Sequence, residues 1–204
     1  IFVEVALLDK ISSSITPLLD EAAAPVDITR ATTAIFYSIS NTQTGLRGVS
    51  FGDSLIKHVV ETLTAEFPRL RTFATLSPIP GFRAWLGKHA GAMLDRLDDK
   101  RRSELGRAVG FEPPQATHFL GALDKALELD AKSPVRQMLL ECAAYYLGRE
   151  LQEGKPADPV ARFHLGNGAR VERLNWAGDP SSKGQKQSYG LMVNYLYDLK
   201  RIDK

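Results

Sequence analysis

The sequence predicts an α+β fold, a mixed sheet flanked by helices with a helical insertion at about 82–152, and three observations carry that prediction. Residues 34–80 read as a strand, a glycine-bearing loop, a helix and a second strand. Residues 82–152 carry apolar stripes at helical spacing. Residues 159–197 return to short apolar segments divided by turn signals.

Taken in order, Ile1-Phe-Val-Glu-Val-Ala-Leu-Leu8 alternates weakly and reads as a strand that joins the sheet. Asp9 to Arg30 is a polar connector in which Ile15, Leu18 and Leu19 form a short helical turn. Ala34-Ile-Phe-Tyr-Ser-Ile-Ser40 has the composition of a buried strand, with Ser38 and Ser40 as its polar members. Two glycines then let the backbone of Asn41–Gly48 turn tightly and approach a ligand closely. A helix follows from Asp53 or Ser54, with Leu55, Ile56, Val59, Val60 and Leu63 on one face, and Pro68 closes it. Arg71–Leu76 is the second strand and Ser77–Gly81 a rigid turn. A strand, a helix and a strand in that order make a crossover, so the two strands run parallel and end on the same side. The loop at 41–52 then aims helix N-terminal N–H groups outward, an arrangement suited to phosphate, with Ser77 at the matching end of the second strand.

Helical stretches follow at 81–97, 117–127 and 134–151, with Asp98–Arg102 as a charged link. His58, His89 and His118 lie on helical segments without metal-ligand spacing, and no metal site is expected. Pro159–Ala169 reads as an apolar strand carrying His164 into a Gly-Asn-Gly turn, and with Arg170–Trp176 as a hairpin. Flanking Phe163 and Leu165 predict an enclosed His164. Gly178–Gly190 reads as polar and flexible, and Leu191–Tyr197 as the last strand, with Tyr195 and Tyr197 on one side.

Composition narrows the classes. With 204 residues the chain is expected to form one domain, and 26 Lys and Arg against 24 Asp and Glu give no field that argues for nucleic acid or a membrane surface. The single cysteine, Cys142, rules out an intrachain disulfide and fits a reducing compartment. No apolar run of membrane-spanning length and no leader-like start is present, so a cytoplasmic protein is expected. The chain opens on a strand without an initiator methionine, which reads as a sequence lacking an N-terminal portion.

Five segments carry a family resemblance: Phe36-Tyr-Ser-Ile-Ser40, Gln43-x-Gly-Leu-x-Gly48, Leu76-Ser-Pro-Ile-Pro-Gly-Phe82, Phe163-His-Leu165 with Asn167-Gly168, and Gly190-Leu-Met-x-Asn-Tyr195. Their order and spacing resemble the catalytic domain of malonyl-CoA decarboxylases over nearly the whole chain. The resemblance implies an acetyltransferase (GNAT)-like fold in which coenzyme A lies between two splayed parallel strands. It also implies a malonyl-CoA substrate and acetyl-CoA product, no cofactor, and homo-oligomers built mainly through an N-terminal helical domain that is expected to be missing from this sequence. Coenzyme A would be held by Gln43, Gly45, Leu46, Arg47, Gly48, Val49, Ser50, Phe51, Gly52 and Asp53. The glycines here are spaced differently from the usual acetyltransferase loop. The family's usual acidic residue after the second glycine is Ser50, so no carboxylate role carries over.

The family's serine and histidine fall on Ser77 and His164, with His164 the expected proton donor because an ordinary histidine titrates near working pH. Tyr197 and Ser38 are expected to frame the pocket. Two other readings use the same fold and loop: an acyltransferase moving an acyl group from coenzyme A to an amine, and a non-catalytic acyl-CoA-binding module. The central strands carry no acidic residue to serve as base for an amine.

Overall fold

The computed structural model describes residues 2–22, 27–40 and 52–199, and the side chains of residues 52–54 are outside that description. The loop at 41–51, and with it the expected coenzyme A contacts of Gln43, Gly45, Leu46, Arg47, Gly48, Val49, Ser50 and Phe51, lies outside the described residues. Gly52 and Asp53 are placed only as the backbone start of a helix.

The sheet is built on the predicted crossover. Strand β1 (Phe2–Leu8) pairs antiparallel with β2 (Thr33–Ser40), and β2 runs parallel to β3 (Thr72–Thr75) from Thr33↔Thr72 to Phe36↔Thr75. Helix α1 (Gly52–Glu66) makes the crossover. Period-2 alternation divides the side chains between two faces. Ala34, Phe36 and Phe73 pack with Ile56 and Val60 of α1, while Ile35, Ala74 and Leu76 turn to the other face. There Ile11, Ile15 and Leu18 of the connector cover them, and the Ile15 N–H donates to the Gly178 carbonyl at 2.8 Å.

The parallel pair then separates. Its last bond runs from the Leu76 N–H to the Phe36 carbonyl at 3.0 Å. Beyond it β2 continues to Ser40 against β1 alone, with a bulge at Tyr37 that leaves this residue unpaired in the ladder. The other strand turns away. Ser77 and Pro78, expected in a turn, form a short strand β4 (Ser77–Pro78) on β8 (Met192–Tyr197), so only 79–81 makes the turn. Strand β8 is antiparallel to β3, to β4 and to the outer strand β7 (Ala169–Asn175).

Helices α2 (Phe82–Leu94), α3 (Asp99–Val109), α4 (Ala116–Ala122, continued by a 3₁₀ turn to Glu128) and α5 (Pro134–Arg149) form the predicted insertion. They enclose Phe82, Leu86, Leu105, Phe119, Leu139 and Cys142. The Asp98–Arg102 link is a helix start, because Asp98 Oδ1 accepts the Arg101 N–H at 2.9 Å. Cys142 is buried, and that burial pushes its thiol up to about 12, the state of an inert packing residue.

Two further expectations are corrected. The expected hairpin at 159–176 is instead helix α6 (Pro159–Gly166) followed by β7, and the short β5–β6 pair (Leu151–Gln152, Lys155–Pro156) lies ahead of it. Asp158 caps α6 and Pro159 fits its first turn, a start signal that outweighs the apolar run. The polar stretch before β8 contains helix α7 (Ser182–Ser188), where Ser181 Oγ accepts the Gly184 N–H at 3.2 Å.

Gly81 at the head of α2 is required by close approach. A Cβ there would stand 2.5 Å from the Tyr146 hydroxyl oxygen, and the Tyr146 ring is itself packed against Phe82 and Trp85. Gly81→Ala is therefore expected to cost about 1–2 kcal/mol in chemical denaturation. A midpoint equal to wild type would show that Tyr146 moves aside freely.

Candidate active site

Strand alternation places Thr75, Ser77, Tyr195 and Tyr197 on the helix-covered face of the sheet, and α6 lays His164 over them. All five residues are buried. Ser77 Oγ is 2.8 Å from Thr75 Oγ1 and 3.3 Å from His164 Nε2, and His164 Nδ1 is 2.7 Å from the Tyr197 hydroxyl. The Tyr195 ring stacks under the imidazole at 4.8 Å between centroids. Helix, broken strand and last strand thus meet in one continuous chain, Thr75–Ser77–His164–Tyr197.

The imidazole is neutral. Burial lowers its pKa from 6.5 to about 4, with no charged neighbour to oppose it. This corrects the expectation that His164 titrates near working pH. A neutral ring carries one N–H, so the hydrogen bonds along the chain all point one way, from Tyr197 toward Thr75 or from Thr75 toward Tyr197. Either direction leaves one hydroxyl hydrogen at an end of the chain. Burial likewise holds the Tyr197 hydroxyl well above its ordinary pKa, so it stays protonated and able to donate.

The shift has a sign that stability can read. An unfolded histidine takes up a proton near pH 6.5, whereas the folded His164 resists until about pH 4. Proton uptake therefore favours the unfolded chain as pH falls through that window, and stability falls with it. The stability advantage of wild type over His164→Gln should shrink between pH 7 and pH 5 in urea denaturation. Parallel stabilities at the two pH values would contradict the buried neutral assignment.

A second polar set supports the first. Asp158 is fully buried and its Oδ1 accepts the N–H groups of Val160 at 3.0 Å and Ala161 at 2.9 Å, fixing the start of the helix that carries His164. Its other oxygen and the Tyr195 hydroxyl are buried without hydrogen-bond partners among the described residues. Burial raises the pKa of both groups.

The structure thus brings Ser77, His164 and Tyr197 together. Ser38 is half-buried on the β1 side of the splay and makes no hydrogen bond to that chain. The histidines set aside from the site are elsewhere: His58 is exposed, His89 Nδ1 lies 2.8 Å from the Trp85 carbonyl, and His118 stacks on Phe111 at 4.0 Å. Among the described residues no three His, Cys, Asp or Glu side chains are grouped as metal ligands, and no helix is long and apolar enough to cross a membrane. Sequence reasoning missed Thr75, whose only signal was a hydroxyl two residues before Ser77. It also passed over Tyr195, although the alternation with Tyr197 pointed to it.

A sequence model of the malonyl-CoA decarboxylase C-terminal domain matches residues 1–204. The chain belongs to that family. It is 39% identical over 211 residues to the mitochondrial malonyl-CoA decarboxylase of Anser anser anser, covering 98% of this chain and 41% of that protein. The crystal structure of malonyl-CoA decarboxylase from Cupriavidus metallidurans is 50% identical with a TM-score of 0.84, covering 98% of this chain and 49% of that one. The chain therefore spans less than half the length of these relatives. The loading GNATL domain of CurA from Lyngbya majuscula superposes with a TM-score of 0.52 at 14% identity, over 97% of this chain and 70% of that domain. That likeness shows the acetyltransferase-like α+β fold.

Proposed function

We propose that this domain decarboxylates malonyl-CoA to acetyl-CoA and carbon dioxide, with the Ser77–His164–Tyr197 chain at the acyl end of the substrate. The observation that carries the reading is the buried Ser77–His164 contact at the opening of the sheet, in a member of this family. In the reaction the bond between the carboxylate carbon and Cα breaks, and its electron pair passes into the thioester as an enolate. The enolate then takes a proton at Cα. Neutral N–H and O–H donors stabilise that charge best where water is excluded, and Ser77 and His164 sit in such a place; on binding, the thioester oxygen takes over a hydrogen that one of them now gives to its neighbour in the chain. Tyr197 can return a proton through His164.

Ser77 is a donor in this reading, not a nucleophile. Loss of carbon dioxide from the thioester needs no acyl-enzyme, and Pro78 has no backbone N–H to help build an oxyanion hole beside Ser77. No organic cofactor or metal enters the proposal, because the thioester accepts the electrons. In this reading Gln43 and the residues from Gly45 to Asp53 hold coenzyme A, residues 1–204 form one acyl-CoA-binding catalytic domain, and the protein is a homo-oligomer with a cytoplasmic address. Light scattering and cell fractionation test the last two.

The direct test incubates the intact protein with malonyl-CoA and no amine. Acetyl-CoA and carbon dioxide formed in a 1:1 ratio support decarboxylation. Malonyl-CoA that persists until an amine is added, and then yields the malonyl amide, would move the domain to acyl transfer.

A further inference from the structure

We propose that Thr75 is the positioning residue of the Ser77–His164 pair: its hydroxyl holds the Ser77 hydroxyl in place while the rest of the residue is clamped to β8. The proposal deepens the decarboxylase reading and rests on it for its kinetic arm.

Thr75 is the last residue of β3 before the splay, and it is fixed at three points. Its Oγ1 is 2.8 Å from Ser77 Oγ and accepts the Tyr195 backbone N–H at 3.2 Å. Its carbonyl accepts Asn194 Nδ2 at 2.7 Å, and Asn194 Oδ1 in turn accepts Asn175 Nδ2 at 2.8 Å from β7. Between the backbone pairings Ala74↔Leu196 and Ser77↔Val193, side chains therefore supply bonds that the ladder would normally make. A buried strand residue that needed only shape would be served as well by valine, without the cost of burying a hydroxyl. Here the hydroxyl is used twice.

The consequence is directional. A serine hydroxyl beside a neutral imidazole can rotate among its staggered positions, and only some of them meet His164 Nε2. The bond to a clamped Thr75 selects among them. Thr75 bonds directly only to Ser77 of the pair and reaches His164 only by way of Tyr195, whose ring stacks under the imidazole, so its loss should lower kcat and leave KM unchanged.

The test compares Thr75→Ala, Thr75→Val and Thr75→Ser in the intact protein by steady-state kinetics with malonyl-CoA and by 15N NMR of the His164 ring nitrogens. Ala and Val are expected to lower kcat about tenfold with KM within twofold. They should also change the balance of the two ring-nitrogen signals, and Ser should restore most of both. If Val does not fold, the Ala and Ser variants carry the comparison, since they differ by one oxygen. Ala and Val with wild-type kcat and unchanged ring signals, or Ser as impaired as Ala, would overturn the proposal. A wild type that does not consume malonyl-CoA would sink the decarboxylase reading, while the NMR comparison would still decide the role of Thr75.

Discussion

His164→Ala is expected to lower kcat for malonyl-CoA decarboxylation in the intact protein by about a hundredfold or more, with KM changed little. The imidazole joins Ser77 to Tyr197 through both of its nitrogens, so one truncation removes two hydrogen bonds at the acyl end. Neither partner has a substitute. Ser77 would keep only Thr75, and the Tyr197 hydroxyl would lose the bond that orients it. The ring also fills the space above Tyr195, so some loss of stability accompanies the loss of rate. Rates are therefore to be compared at a temperature where circular dichroism shows both proteins folded. Turnover within fivefold of wild type under those conditions would remove His164 from the chemistry.

Asp158→Ala is expected to cost about 3 kcal/mol in urea denaturation, the largest stability effect proposed for the site. The carboxylate oxygen satisfies two N–H groups at the start of α6, and the Ala161 end of that turn is buried, so water cannot replace it fully. Against this stands the cost of keeping a desolvated carboxyl whose second oxygen has no partner among the described residues. Asp158→Asn separates the two terms. It keeps an oxygen for the cap and removes the charge, so it should lie within about 1 kcal/mol of wild type at neutral pH. An alanine variant as stable as wild type would mean that desolvation cancels the cap.

The crossover was legible because both of its periods are clean. Alternate residues of 34–36 and 73–76 face opposite sides, and Ile56 and Val60 recur at helical spacing. Ser77 and His164 were legible only through the family resemblance, since a serine before proline and a lone histidine are ordinary on spacing alone. Helix α6 was misread because eight apolar-leaning residues fit a strand as well as a helix, and the Asp158–Pro159 start is what decides between them. Helix α7 has no apolar stripe to show, being held by its Ser181 cap and by close backbone approach. A Cβ on Gly184 would stand 2.2 Å from the Asp179 carbonyl oxygen. Beyond a hydroxyl two residues before Ser77, nothing in the sequence points to Thr75, because its role depends on where two strands part, and that depends on the Tyr37 bulge, Pro78 and the Asn194 side chain together.

The most direct measurement is the reaction of the intact wild-type protein with malonyl-CoA in deuterium oxide, following carbon dioxide and the methyl group of the product by mass spectrometry. Decarboxylation with proton delivery at Cα predicts acetyl-CoA carrying at least one deuterium for every carbon dioxide released, and loss of both products in His164→Ala. Unconsumed malonyl-CoA, or a malonyl group transferred intact to another molecule, would contradict it.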